Sequence, residues 1–249
     1  MKAGLGSKKR FILEFICFSL IFCIIISLLI FAGSYRRGTG DEKAASADSA
    51  EAPVVIIDAG HGGEDGGATF GGVYEKDLNL AVALSLEEIL KACGVKTVMT
   101  RREDILLYDR NSDYQGQKKV QDLATRRKIA EEYENAIFVS IHMNSFPEEK
   151  YRGLQVYYSG NDPLSLSIAQ DIQSAAKVFL SPDNSRKAKE AGSSIYLLDR
   201  LSCPAVMVEC GFLSNSEERA LLCDGEYRRA IALCIASSVI NQINLSSGK

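Results

Sequence analysis

The sequence predicts an α/β layered fold built on a largely parallel sheet. Three observations predict it. From Val54 onward, segments of strand character alternate with segments of helical periodicity. The run Val54-Val-Ile-Ile57 is apolar and β-branched throughout, the pattern of a strand covered on both faces. It leads into Asp58-Ala-Gly-His-Gly-Gly63, whose glycines turn the backbone sharply and leave His61 at the carboxyl end of the strand. That is where open α/β sheets bind their ligands.

The elements follow in order. The first strand and its glycine loop are succeeded by a helix over Asp77–Cys93, with Leu78, Ala81, Val82, Leu84, Ile89 and Leu90 as its apolar stripe and Gly94 at its end. Val95–Thr100 reads as a strand, Arg101–Gly116 as polar and irregular, Gln121–Tyr133 as a charged helix, and Ile137–His142 as a strand ending in the second histidine. Leu154–Tyr158 is strand-like, and Pro163–Phe179 an amphipathic helix with proline in its first turn. After a polar loop over Ser181–Gly192, short strands are expected at Ser194–Leu198 and Ala205–Glu209, then helices at Asn215–Leu222 and Glu226–Ile243.

Ahead of this domain, placed at 53–245, residues 1–10 form a basic lead carrying Lys2, Lys8, Lys9 and Arg10. Residues 11–33 are apolar, interrupted by Glu14, Ser19 and Ser27, and from Phe15 to Ala32 they are long enough to span a bilayer as a helix. Phe31-Ala-Gly-Ser-Tyr35 is a poor cleavage site, which favours an uncleaved transmembrane signal-anchor over a signal peptide. The basic lead then stays in the cytoplasm and the domain is extracytoplasmic at the cell membrane, although Arg36 and Arg37 oppose that orientation. Residues 34–52 are small and polar, a flexible linker.

A net charge of −3 and the lack of a basic patch with interleaved aromatics leave no electrostatic case for nucleic-acid binding. Trp is absent, so tyrosine must supply any aromatic platform for a sugar. Cys17 and Cys23 fall in the apolar segment; Cys93, Cys203, Cys210, Cys223 and Cys234 fall in the domain without a C-x-x-C pair. Neither a zinc ribbon nor a redox dithiol is indicated, and small buried apolar residues are expected rather than a disulfide framework.

His61 and His142 are the only two histidines, each at the end of a parallel-type strand, and this pairing reads as a metal centre. One such histidine alone is more often an ordinary core or surface group. A hydrolytic zinc takes three protein ligands and leaves one position open. The third ligand must be an acid near His61, and Glu64, Asp65 and Glu75 all qualify by position. Glu75, at the start of a helix, is better fixed than the two loop acids. Catalysis also needs a carboxylate that is not a ligand, to take a proton from water and pass it to a leaving group. Glu209, ending the apolar run Val206-Met-Val208, suits that role, since apolar neighbours raise a carboxyl pKa. A rim carboxylate paired with a cation is the plainer alternative. A phosphate-cradling role for Gly60–Gly67 is poor, because the loop lacks G-K-[ST] and carries two acids.

Asp58-Ala-Gly-His-Gly-Gly63, Glu75 before a helix, Ser140-Ile-His-Met-Asn144 and Val208-Glu-Cys-Gly-Phe-Leu-Ser-Asn215 together resemble the zinc-dependent N-acetylmuramoyl-L-alanine amidases of the amidase_3 family. The resemblance implies a six-stranded sheet flanked by helices, Zn2+ held by His61, Glu75 and His142, and Glu209 as catalytic acid/base. Peptidoglycan is the implied substrate. Thr100-Arg-Arg-Glu-Asp104 and Leu123-Ala-Thr-Arg126 look like the family's arginine-bearing segments, which gives Arg101 and Arg126 structural or substrate-contacting roles, the former favoured. Cys210 departs from the small aliphatic residue usual there. The stretch from His61 to Glu75 is short, without the inserted helix that occludes the site in some division amidases. This minimal layout is similar to the germination-specific (CwlD-like) subgroup, which acts in spore-cortex maturation through muramic-lactam formation and in which an activating lipoprotein partner can be needed. Two other classes remain open at this stage: a zinc peptidase cutting within the stem peptide, and a zinc-stabilised peptidoglycan-binding module without turnover.

Overall fold

The computed structural model describes residues 52–111 and 116–246. The basic lead, the expected membrane-spanning segment and the linker up to Glu51 lie outside them. Among the described residues no helix is long and apolar enough to cross a membrane.

The elements are β1 (Val54–Ala59), β2 (Thr69–Phe70), β3 (Val73–Tyr74), α1 (Glu75–Ala92), β4 (Thr97–Met99), α2 (Lys118–Glu131), β5 (Ala136–Asn144), β6 (Gln155–Tyr158), α3 (Pro163–Phe179), β7 (Lys189–Glu190), α4 (Tyr196–Arg200), β8 (Ala205–Phe212), α5 (Ser216–Cys223) and α6 (Gly225–Ser246). A six-stranded sheet runs β4-β1-β5-β8-β6-β7, and β2–β3 form a separate hairpin in the stretch between His61 and Glu75. β4, β1, β5 and β8 are parallel; β6 runs antiparallel to β8, and β7 parallel to β6. The sheet is therefore mixed: four parallel strands run inward from the β4 edge, and the β6–β7 pair at the other edge runs opposite to them.

Alternation along the strands divides the core in two. Val55, Ile57, Val139, Ile141, Val206 and Val208 pack against Val82 and Leu86 of α1, Ile168 and Ile172 of α3, and Ile231 and Ile235 of α6. Val54, Ile56, Phe138 and Ala205 face Leu197, Leu198 and Leu201 around α4, together with Ala130 of α2. Helices thus cover both faces, which explains why β1 and β5 read as nearly continuous apolar runs.

Three expectations need correction. Ser194–Leu198 is not a strand; α4 occupies Tyr196–Arg200, and Leu197 and Leu198 are buried on one side of the sheet. A short apolar run has no periodicity that separates strand from helix. The sixth strand is instead β7, two exposed charged residues that pair with Tyr157 and Tyr158 through backbone alone and so leave no hydrophobic signal. Glu209 does not end its strand, because β8 continues to Phe212. Among the described residues all five cysteines are free; Cys210 and Cys234 are buried as expected, whereas Cys93 and Cys223 are exposed.

Candidate metal centre and proton-transfer site

Parallel pairing of β1 with β5 sets Ala59 beside Ile141, so the turn that carries His61 leaves β1 next to His142; His142 does not end its strand, because β5 continues to Asn144. His61 has φ 62°, a left-handed conformation uncommon outside glycine but several-fold enriched in histidine. Two buried arginines hold that turn through its carbonyls. Arg101 donates from Nε to Ala59 O (2.8 Å) and from Nη2 to Gly60 O (3.0 Å). Arg126 donates from Nη1 to Ala59 O (2.7 Å) and from Nη2 to His61 O (2.7 Å). Its remaining N–H groups meet Asp58 Oδ1 (2.6 Å) and both oxygens of Asp122 (2.8 and 3.1 Å), so all five donors are used inside the protein. Both arginines are structural. Asp58 also accepts from Thr100 Oγ1 and Ser140 Oγ; burial alone pushes its carboxyl up, but the Arg126 charge and these bonds hold it below its usual value.

Glu75 is the first residue of α1 and reaches over the ends of β1 and β5. Its Oε2 accepts from Ala68 N at 2.8 Å, which fixes the carboxylate. Its Oε1 lies 2.9 Å from His142 Nδ1 and 3.2 Å from His61 Nε2, and accepts from Met143 N at 3.1 Å. The imidazole centroids are 4.9 Å apart at 76°. One donor atom from each of His61, Glu75 and His142 falls within 4.8 Å of the others, a spacing that a single cation can bridge. The His142 ring lies over Gly60, where a Cβ would collide with it, and Gly67 leaves similar room for the Glu75 carboxylate. Glu64 and Asp65 do not join the cluster. Glu64 is exposed and bonded to Tyr108 and Lys118. Asp65 Oδ2 sits behind the His61 ring, 2.9 Å from Nδ1.

The charges fit a cation. Burial raises the Glu75 carboxyl, but both histidines outweigh it and hold the group far below its usual range. Burial lowers His61, but the carboxylates of Asp65 and Glu75 override it and bring it up to about 9. The two carboxylates thus favour positive charge at His61, as they would favour a bound cation.

Glu209 stands in register with His142 on the neighbouring strand β8, on the same face of the sheet. As a residue it is only partly covered, yet its Oε2 is hidden from solvent and has no hydrogen-bond partner. Desolvation pushes its pKa up to about 7, with a smaller upward push from Glu75 and opposing pulls from the histidines. Cys210, next in the strand, points to the opposite face and lies in the core, where burial pushes its thiol well above its ordinary value; it is no ligand for this cluster.

The structure thus gathers His61, Glu75, His142 and Glu209. The motifs contain Asp58 and Ser140 without giving them a role, and Asn79 lies outside them. Asn79 Nδ2 donates to Gly60 O at 3.0 Å and lies 3.4 Å from Glu75 Oε1. Its position one helical turn after Glu75, and the polar Asp58 and Ser140 inside apolar strands, were the available signals.

The profile of the Amidase_3 family, described as N-acetylmuramoyl-L-alanine amidase, matches residues 55–241. The chain belongs to that family of amidases. It is 32% identical over 221 residues to the germination-specific N-acetylmuramoyl-L-alanine amidase of Bacillus subtilis, covering 89% of this chain and 92% of that one. It resembles the CwlD amidase of Clostridioides difficile, solved in complex with the GerS lipoprotein, at TM-score 0.73 and 36% identity, over 77% of this chain and 98% of that one. The catalytic domain of the CwlV amidase from Bacillus (Paenibacillus) polymyxa is similar at TM-score 0.62 and 31% identity, over 76% and 97% of the two chains. Within the family, then, the chain is CwlD-like.

Proposed function

We propose that the protein is a zinc amidase that hydrolyses the bond between the lactyl group of N-acetylmuramic acid and L-alanine of the stem peptide, in spore cortex. The observation that carries this is the placement of Glu209, with a hidden and unpaired Oε2, in register beside a cluster of two imidazoles and one carboxylate. His61, Glu75 and His142 would hold the ion. Nitrogen and oxygen donors without a thiolate, fewer than four in number, suit a hydrolytic zinc with an open position. Zinc bound there supplies Lewis acidity, polarising the amide carbonyl and acidifying water.

The chain's own residues do the rest. Arg101 and Arg126 keep the His61 turn in its left-handed geometry. Glu209, whose carboxyl burial makes a stronger base than an exposed one, takes a proton at Oε2 from the attacking water and delivers it to the departing alanine nitrogen. The products are a peptide with a free amino end and a glycan carrying a lactyl carboxylate. Incubation of zinc-loaded protein with peptidoglycan, followed by mass spectrometry, tests this: peptides beginning at L-alanine support it, and cleavage at another bond rejects it.

The cortex assignment is supported by the likeness to the germination-specific relative, and an activating lipoprotein partner by the lipoprotein complex of the CwlD neighbour. The apolar stretch at 11–33, behind its basic lead, supports anchoring of an extracytoplasmic domain. Mature protein starting near Gly33 in the native host would reject the anchor.

A further inference from the structure

A cleft of about 300 Å3 opens between the β5–β6 connection and the loop after α3. Lys150, Arg152 and Arg186 line it against a single carboxylate, Asp183, in a chain whose net charge is negative. We propose that this cleft is a carboxylate-binding subsite for the peptide side of the substrate, with Arg186 as its specificity-determining residue. This rests on the amidase reading above.

The connection to the chemistry is short. Gln155 on β6 pairs directly with Glu209 on β8, which places the two Cα atoms about 5 Å apart with side chains on one face. Arg186 Nη1 donates to Gln155 Oε1 at 2.8 Å, so one side chain separates the guanidinium from the proton-transfer group. Two residues of extended peptide reach about 7 Å. A stem peptide whose alanine nitrogen meets Glu209 and which runs along β8 toward β6 would carry its second residue toward Gln155 and the Arg186 bonded to it. That residue is an acid linked through its side chain, and its α-carboxyl is either free or amidated.

Arg186 is built into place with its charge unspent. Its backbone N donates to Oδ1 of buried Asn184 (3.0 Å), whose Nδ2 donates to Leu154 O (2.8 Å). Gly153, at φ 98°, leaves the room that Asn184 fills. The guanidinium donates from Nε to Arg152 O (2.8 Å) and lies 4.5 Å from the Phe212 ring centroid. These partners are all neutral. Nη2 carries no hydrogen bond to the described residues, and a fixed guanidinium with spare donors matches a carboxylate.

The test uses full-length, zinc-loaded protein carrying Glu209→Gln, which binds without turnover, and two muramoyl dipeptides that end in isoglutamate or isoglutamine. Calorimetry should show the free carboxylate form bound about tenfold more tightly, and adding Arg186→Gln should abolish that preference while leaving the isoglutamine form unchanged. Equal binding of both forms, or equal loss of both on Arg186→Gln, overturns the subsite. Turnover of the same two compounds by wild type is scored separately: cleavage at a bond other than the lactyl–alanine amide overturns the amidase reading, whereas the binding preference is read without it.

Discussion

Arg126 donates from Nη1 to Asp58 Oδ1 at 2.6 Å, and both side chains are sealed from solvent. The pair lies directly beneath the His61 turn, and the same guanidinium holds the His61 carbonyl. A charge pair this deep gains less net stability than its Coulomb energy implies, because both ions lose their hydration. Its value is placement: it fixes where β1 ends and how His61 leaves it.

Removing one member leaves the other charged, buried and unpaired. Arg126→Met should destabilise the domain by about 3–5 kcal/mol in urea denaturation and weaken metal binding through the released His61 turn. Asp58→Asn combined with Arg126→Met should cost less than the two single changes added together. Additive costs would mean that the two residues act independently. The pH sign is definite for Asp58: its folded pKa is depressed, so its contribution is complete above the ordinary 3.8 and is lost only as pH falls below that.

Glu209→Gln keeps shape and removes the carboxyl proposed to carry the proton. Bound metal should be unchanged by mass spectrometry, while turnover falls roughly a hundredfold to ten-thousandfold. In wild type, burial raises Glu209 from 4.5 to about 7, and a bound dication favours the carboxylate and pulls it back down. The acid limb of kcat/KM, where the base becomes protonated, should therefore fall between those two values. A limb that persists unchanged in Glu209→Gln would assign it to another group.

The metal must displace a proton. With His61 raised to about 9, the free site is protonated at neutral pH, and zinc binding should release close to one proton there. Apparent affinity should thus strengthen as pH rises toward 9. Calorimetry in buffers of different ionisation enthalpy counts the proton. Because His61 has an elevated folded pKa, the stability it gives the metal-free protein is complete below 6.5 and lost as pH rises through about 9. Saturating zinc at a hundred times its Kd should offset that loss by about 2.7 kcal/mol.

What the sequence disclosed tracks what leaves a side-chain signature. β1 and β5 were legible because burial on both faces demands unbroken apolar runs, and α3 because Pro163 and its apolar face mark both start and orientation. The two histidines drew attention because each follows an apolar strand run, although β5 and β8 both run on past His142 and Glu209, where the side-chain pattern no longer marks a strand. β7 was hidden because its pairing is backbone only, and α4 because five residues carry no period. The cleft at Arg186 was invisible for another reason: its cations lie in two loops that only β6 brings together.

Gly60 gives the strictest test of the site's geometry. Its φ lies outside the left-handed range, so alanine strains no backbone there; the cost is steric alone, because the new Cβ meets the His142 ring. Asn79 and Arg101 both hold the Gly60 carbonyl, so the backbone cannot retreat and the imidazole must move. Gly60→Ala should therefore destabilise the fold by about 1–3 kcal/mol and weaken zinc binding further than that loss accounts for. Gly72, where a Cβ meets nothing, is the control: its φ of 79° makes alanine locally unfavourable by about 1 kcal/mol, but zinc affinity should stay at the wild-type value. Equal zinc affinities for the two variants would mean that His142 does not need its present seat.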